Sequence, residues 1–127
     1  MERRIIITAA IFGMTAIILG AFGAHALKQI LSPVQLNSFE TGVKYQMYHS
    51  LFLLFLGTTS SISDKAKARI LNLVIFGVLF FSGSIYLMTT NSSILSNYKF
   101  IGLITPIGGL LLISAWALLL FEFLKKK

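Results

Sequence analysis

The chain has 127 residues and a formal charge of +7, with 56% hydrophobic and only 12% charged residues. A soluble domain is roughly 45–50% apolar and about 25% charged, so the composition excludes an ordinary soluble domain and fits a chain surrounded by lipid. The absence of cysteine removes disulfides, thiolate metal sites and cysteine nucleophiles together.

A bilayer core about 30 Å thick needs roughly 20 apolar residues of helix. The first run, about residues 5–26, holds no Asp, Glu, Lys or Arg and meets that length. With Met1-Glu2-Arg3-Arg4 before it and Ala24-His25-Ala26 at its end, it has the outline of a secretory signal. An apolar stretch of about 20 residues exceeds the usual signal core of 7–15, so a retained membrane helix is expected. Small residues recur along it at Ala9, Gly13, Ala16, Gly20 and Gly23 or Ala24, a face on which another helix can approach closely.

Residues 32–42 read differently. Ser32-Pro33 is a helix start, with Gln35 placed as the reciprocal partner of a capping box. Leu36, Phe39 and Val43 follow at helical spacing, and Glu40 precedes Lys44 by four residues. The pattern predicts a short amphipathic helix at the outer interface, bending at Gly42 into a second span. A single tilted helix continuing from Pro33 is the alternative.

The second span is the least apolar. Its purely apolar part, Leu51–Gly57, is too short to cross, so a span must run over about residues 43–62. That choice draws Tyr45, Gln46, Tyr48 and His49 into the outer turns of a membrane helix. Thr58, Thr59, Ser60, Ser61 and Ser63 then end the helix by satisfying backbone groups. The third run, about 69–90, carries Gly77 and Ser84 seven residues apart, and the fourth, about 100–123, carries Gly102, Thr105 and Gly109. Pro106 removes a backbone donor inside the fourth run and predicts a kink near Gly102. Glu122 can pair with Lys125 or Lys126 one turn on.

Charge orients this all-α, four-helix membrane bundle. Arg3, Arg4, Lys65, Lys67, Arg69, Lys125, Lys126 and Lys127 fall on one side of a four-span chain, and Lys28, Lys44 and Lys99 on the other. Basic loops face the cytoplasm, so both termini are expected there, in the cell membrane. Tyr45, Tyr48, Tyr86 and Tyr98 fall near the outer ends of their helices, as interfacial tyrosines do. No basic stretch is interleaved with aromatics, which excludes nucleic acid as a partner. The lipid bilayer remains, with a second copy or another membrane protein as further partners.

Chemistry has few candidates. His25, Glu40, Tyr45, Gln46, Tyr48 and His49 form a polar group expected near the outer face, where it could bind a ligand or tie spans one and two together. Two histidines without regular ligand spacing do not make a metal site. There is no G-x-S-x-G, H-E-x-x-H or P-loop, so no catalytic residue and no cofactor is assigned.

Three strings carry a family resemblance: Gly20-Ala-Phe-Gly-Ala-His-Ala-Leu27, Tyr45-Gln-Met-Tyr-His49 before Leu51, and Thr105-Pro-Ile-Gly-Gly109. In type, order and spacing they resemble uncharacterised protein family 0382, also called domain of unknown function 423. The family also tends to have an aromatic where Trp116 stands. The resemblance implies a small multi-pass protein of the bacterial cell membrane and no assigned activity. Clean spans, small-residue faces and no reactive constellation favour a non-enzymatic protein that works through partners or lipids. The alternative is a small-solute or ion transporter assembled from several copies.

Overall fold

The computed structural model describes residues 1–90 and 100–125. Tyr98, Lys99, Lys126 and Lys127 lie outside the described residues. The described residues form four long helices: α1, Glu2–His25; α2, Pro33–Thr58; α3, Asp64–Thr90; and α4, Ile101–Leu124. A 3-10 turn, Leu27–Gln29, follows α1. No strand occurs among the described residues.

The ends follow local chemistry. Ser32 caps α2 with both halves of the capping box: Gln35 N donates to Ser32 Oγ at 3.1 Å, and Ser32 N donates to Gln35 Oε1 at 3.0 Å. Pro33, which has no N–H to satisfy, takes the first position. At the other end of α2, Thr58 Oγ1 donates back to Leu54 O at 2.9 Å, and Ser63 Oγ accepts from Ala66 N at 3.2 Å as α3 begins. Lys67 is buried and donates from Nζ to Thr59 O at 2.5 Å, bracing this turn. The same Nζ lies 3.7 Å from Glu2 of α1.

Successive helices run antiparallel. Gly57 lies against Ile5 and Ile6, Gly23 against Phe39, Gly42 against Tyr86 and Gly77 against Leu112. One end of the bundle therefore gathers the start of α1, the end of α2, the start of α3 and the end of α4. The apolar core fills this end with Ile5, Ala9, Leu53, Leu56, Ile70, Val74, Leu112 and Ala115. α1 packs on α2, α2 on α3, and α3 most extensively on α4. Glu122 is buried at this end and pairs with Lys125 at 3.2 Å.

The short interfacial helix is corrected by this architecture. Residues 33–42 are the first third of one helix that continues to Thr58, and Gly42 does not break it. Gly42 serves a different purpose. A Cβ there would stand 2.9 Å from the Tyr86 ring, and its carbonyl accepts from Ser82 Oγ at 2.7 Å. The missing side chain admits α3 rather than a bend. Pro106 is the sixth residue of α4, so the carbonyl it leaves unbonded belongs to Gly102 in the first turn.

The glycine faces turn inward within the chain. A Cβ on Gly13 would lie 2.8 Å from Ser50 Oγ, on Gly20 3.5 Å from Val43, and on Gly23 3.0 Å from Phe39. Gly109 has only ordinary contacts, 3.8 Å to Phe81. Its neighbour Gly108 makes the tight crossing: a Cβ would lie 2.8 Å from Phe80 C, 2.9 Å from Gly77 O and nearer still to Phe81 N.

Candidate functional site: a polar seam at mid-bundle

α2 turns Gln46, His49 and Ser50 toward the faces that meet other helices. Gly42, Gln46 and Ser50 are four residues apart and form one stripe, and all three are buried. Gln46 joins three helices. Its Nε2 donates to Phe12 O at 2.9 Å and to Thr15 Oγ1 at 2.6 Å on α1, and its Oε1 accepts from Tyr86 of α3 at 2.7 Å. Ser50 Oγ donates to Ala9 O at 2.6 Å. Each polar atom in this seam is bonded to protein, the condition for holding it away from water.

His49 faces the other way, toward α4. Its Nδ1 lies 2.7 Å from Tyr45 O, and Trp116 Nε1 lies 3.1 Å from its Nε2. An indole N–H only donates. Nε2 must therefore carry the lone pair and Nδ1 the proton, which it donates to the Tyr45 carbonyl. The ring is neutral, in one tautomer, with both nitrogens used. Trp116 also meets the Phe52 ring edge-on at 4.5 Å, while 49% of its own surface stays exposed.

The height of this seam differs from the expectation. Gln46 stands opposite Phe12 and Thr15, the middle of α1, not near its C-terminal end. The reason is the length of α2: ten residues before Val43 are already helical, which adds about 15 Å at 1.5 Å per residue. His25, at the end of α1, is then roughly 20 Å along the bundle from His49 by the same rise.

The expected polar group therefore separates. Gln46 and His49 are buried on different faces of α2, whereas His25 and Glu40 are exposed and take no hydrogen bond or ion pair among the described residues. Tyr45 and Tyr48 are exposed with rings 5.5 Å apart. Tyr86 is no interfacial anchor: its hydroxyl turns into the bundle to reach Gln46, and its ring lies 5.1 Å from Phe39. A tyrosine near the end of a helix points back toward the helix start, here toward mid-bundle.

Ser50, Ser82 and Thr15 belong to the seam and were not singled out by sequence reading, and Trp116 was noted only through the family resemblance. The i, i+4 step from Gln46 to Ser50 is the signal that would have found one of them. Among the described residues no group of three or more His, Cys, Asp or Glu could hold a metal.

Two open clefts flank the seam. One, about 290 Å³, lies between α1 and α3 with Gln46, Ser82 and Tyr86 in its wall. The other, about 320 Å³, lies between α2 and α4, lined by Tyr45, His49, Phe81, Leu112, Ile113 and Trp116.

A family model described as protein of unknown function (DUF423) matches residues 19–109. The match contains Gln46, His49 and Tyr86. The chain belongs to the DUF423 family. Similar DUF423 relatives include a UPF0382 membrane protein of Staphylococcus saprophyticus, 41% identical over 94% of this chain and 96% of that one. Another from Haemophilus influenzae is 34% identical over 100% and 98% of the two chains. The UPF0382 inner membrane protein YgdD of Escherichia coli K12 is 32% identical over 99% and 93%. No solved structure matches. This member of DUF423 is an α-helical membrane protein in which Glu2–Gln29, α3 and α4 are long and apolar enough to cross a bilayer.

Proposed function

We propose that this protein crosses the cell membrane four times, with both termini in the cytoplasm, and acts without catalysis, through lipid or membrane-protein partners. Support for the fourth crossing comes from α2, which lies beside α1 from Gly57 at one end to Phe39 at the other. A helix matched to a spanning helix over its full length shares its depth. Its lower apolarity is tolerable because Gln46, His49 and Ser50 bond to protein, not lipid. Arg3, Arg4, Lys65, Lys67, Arg69 and Lys125 gather at one end of the bundle, which supports a cytoplasmic face there.

One observation carries the non-catalytic reading: no buried side-chain nitrogen or oxygen among the described residues lacks a partner. Polar groups engaged in holding helices together are not poised for substrate. The same satisfaction weighs against a solute pathway, which needs polar atoms free to face the permeant.

Because the chain has no cysteine, single replacements report topology directly. Lys28→Cys should react with an impermeant maleimide from outside intact cells, and Lys65→Cys only after lysis. The reverse pattern defeats the orientation. Photo-crosslinking in native membranes should trap one defined protein or lipid. A chain that crosslinks to nothing, yet conducts solute in proteoliposomes, would move the reading to transport.

A further inference from the structure

His49 and Trp116 make the side-chain hydrogen bond between α2 and α4 among the described residues, and its chemistry is one-sided. The indole N–H cannot accept. The histidine accepts through Nε2 only while that nitrogen holds a lone pair, because Nδ1–H is committed to Tyr45 O. Adding one proton would place an N–H on Nε2 against the Trp116 N–H. Two donors would then face each other across 3.1 Å with no acceptor between them.

We propose that His49 and Trp116 form a proton-sensitive latch between α2 and α4, closed while His49 is neutral and opened when Nε2 takes a proton. One proton joins the Nε2 lone pair, the Nδ1–H···O bond to Tyr45 stays, and the Nε2···H–N bond to Trp116 is lost. No other bond need change.

The surroundings leave His49 as the group that switches. Its own helix brings Tyr45, a phenol, and Phe52. α3 brings Phe81, and α4 brings Gly109, Leu112, Ile113 and Trp116, none of them titratable. The face of α2 toward α1 carries uncharged Gln46 and Ser50. The acids on these two helices are remote in sequence and placement: Glu40 is exposed nine residues back on α2, and Glu122 pairs with Lys125 at the end of α4. No carboxylate therefore stands ready to take the proton's place as partner.

Opening has a defined consequence. α2 and α4 meet through His49, Phe52 and Trp116 and, nearer the end of α4, through Phe55 and Phe123, with their backbones apart. Releasing the indole enlarges the 320 Å³ cleft and bares the His49 ring toward the acyl chains. Trp116 is already half exposed, so it can swing outward without unpacking the core. The latch holds for either side of the membrane, so it does not rest on the proposed orientation.

The chain has a single tryptophan, so its fluorescence reports the surroundings of Trp116 alone. The full chain in lipid nanodiscs would be titrated from about pH 8 to about pH 4, a range that brackets ordinary histidine titration. The expected result is one sigmoidal shift of Trp116 emission to shorter wavelength as the indole leaves its acceptor for acyl chains. His49→Gln keeps an acceptor that does not titrate and should hold the neutral-pH emission throughout. His25→Gln should titrate as the unaltered chain does. A flat titration of the unaltered chain, or a shift that persists in His49→Gln, overturns the latch. Should His49→Gln fail to fold, ¹⁵N-histidine spectra of His25→Gln decide: Nε2 unprotonated at neutral pH and protonated in step with the emission shift supports it, and an Nε2–H tautomer at neutral pH overturns it.

Discussion

Two seams hold this bundle together by different means. Between α1, α2 and α3 the apolar and glycine contacts are joined by buried hydrogen bonds, from Gln46, Ser50 and Ser82 to backbone and side-chain atoms of the neighbouring helix. Between α3 and α4 the main device is the absence of side chains, where Gly108 rests on the backbone of Gly77, Phe80 and Phe81. A hydroxyl pair, Ser84 with Thr105, closes that seam toward the end away from the chain termini. In lipid the hydrophobic effect does not draw helices together, so close packing and interhelical hydrogen bonds remain. The seams weight them differently: Gly13, Gly23 and Gly57 also bring α1 and α2 close, while a single hydroxyl pair is added between α3 and α4. The polar one holds α2, the least apolar of the four helices, and the glycine one joins helices that are both apolar enough to cross unaided.

The sharpest way to break the comparison is at Gly108. Gly108→Leu must drive α3 and α4 apart, because the obstructing atoms are backbone and cannot turn aside. A loss of about 3 kcal/mol is expected, the upper end of overpacking costs, read as a lowered unfolding midpoint in detergent micelles. Gly83→Leu is the control: a Cβ there meets nothing within 4 Å, and stability should hold. Equal losses from both would show that the α3–α4 seam is not built on close approach.

The polar seam should give a smaller effect for each bond. Gln46→Leu removes three hydrogen bonds and strands the Tyr86 hydroxyl at mid-bundle. At roughly 0.6 kcal/mol per interhelical bond, it should cost about 2 kcal/mol. Tyr86→Phe combined with Gln46→Leu should cost less than the sum of the two, since they share one bond. Strict additivity would separate Tyr86 from the seam. Ser50→Ala, which removes the single bond to Ala9 O, should cost about 0.6 kcal/mol. A loss as large as that of Gln46→Leu would mean that packing against Gly13, not the bond, carries the contact.

Much of this was legible beforehand. The long apolar runs mark α1, α3 and α4 because a charge-free stretch of that length has no other stable home. Ser32-Pro33 and Gln35 mark the start of α2 because capping is settled within four residues. Gly42 was misread as a bend: glycine permits both a turn and a close approach, and only the position of Tyr86 distinguishes them. Gly109 was named in place of Gly108 for a related reason. One residue is about 100° around a helix, and periodicity cannot resolve which of two adjacent glycines meets the neighbour.

The polar residues show the same division most clearly. Composition and spacing determined that a second span, to reach sufficient length, would have to include Gln46 and His49. That is a property of one chain segment and one bilayer thickness. Their depth, their separation from His25 and Glu40, and their bonds to Phe12, Thr15, Tyr86 and Trp116 depend on the tertiary structure. Those partners lie 31 to 67 residues away in sequence. Which helix faces which, and at what height, is decided by packing among elements that the sequence specifies only one at a time.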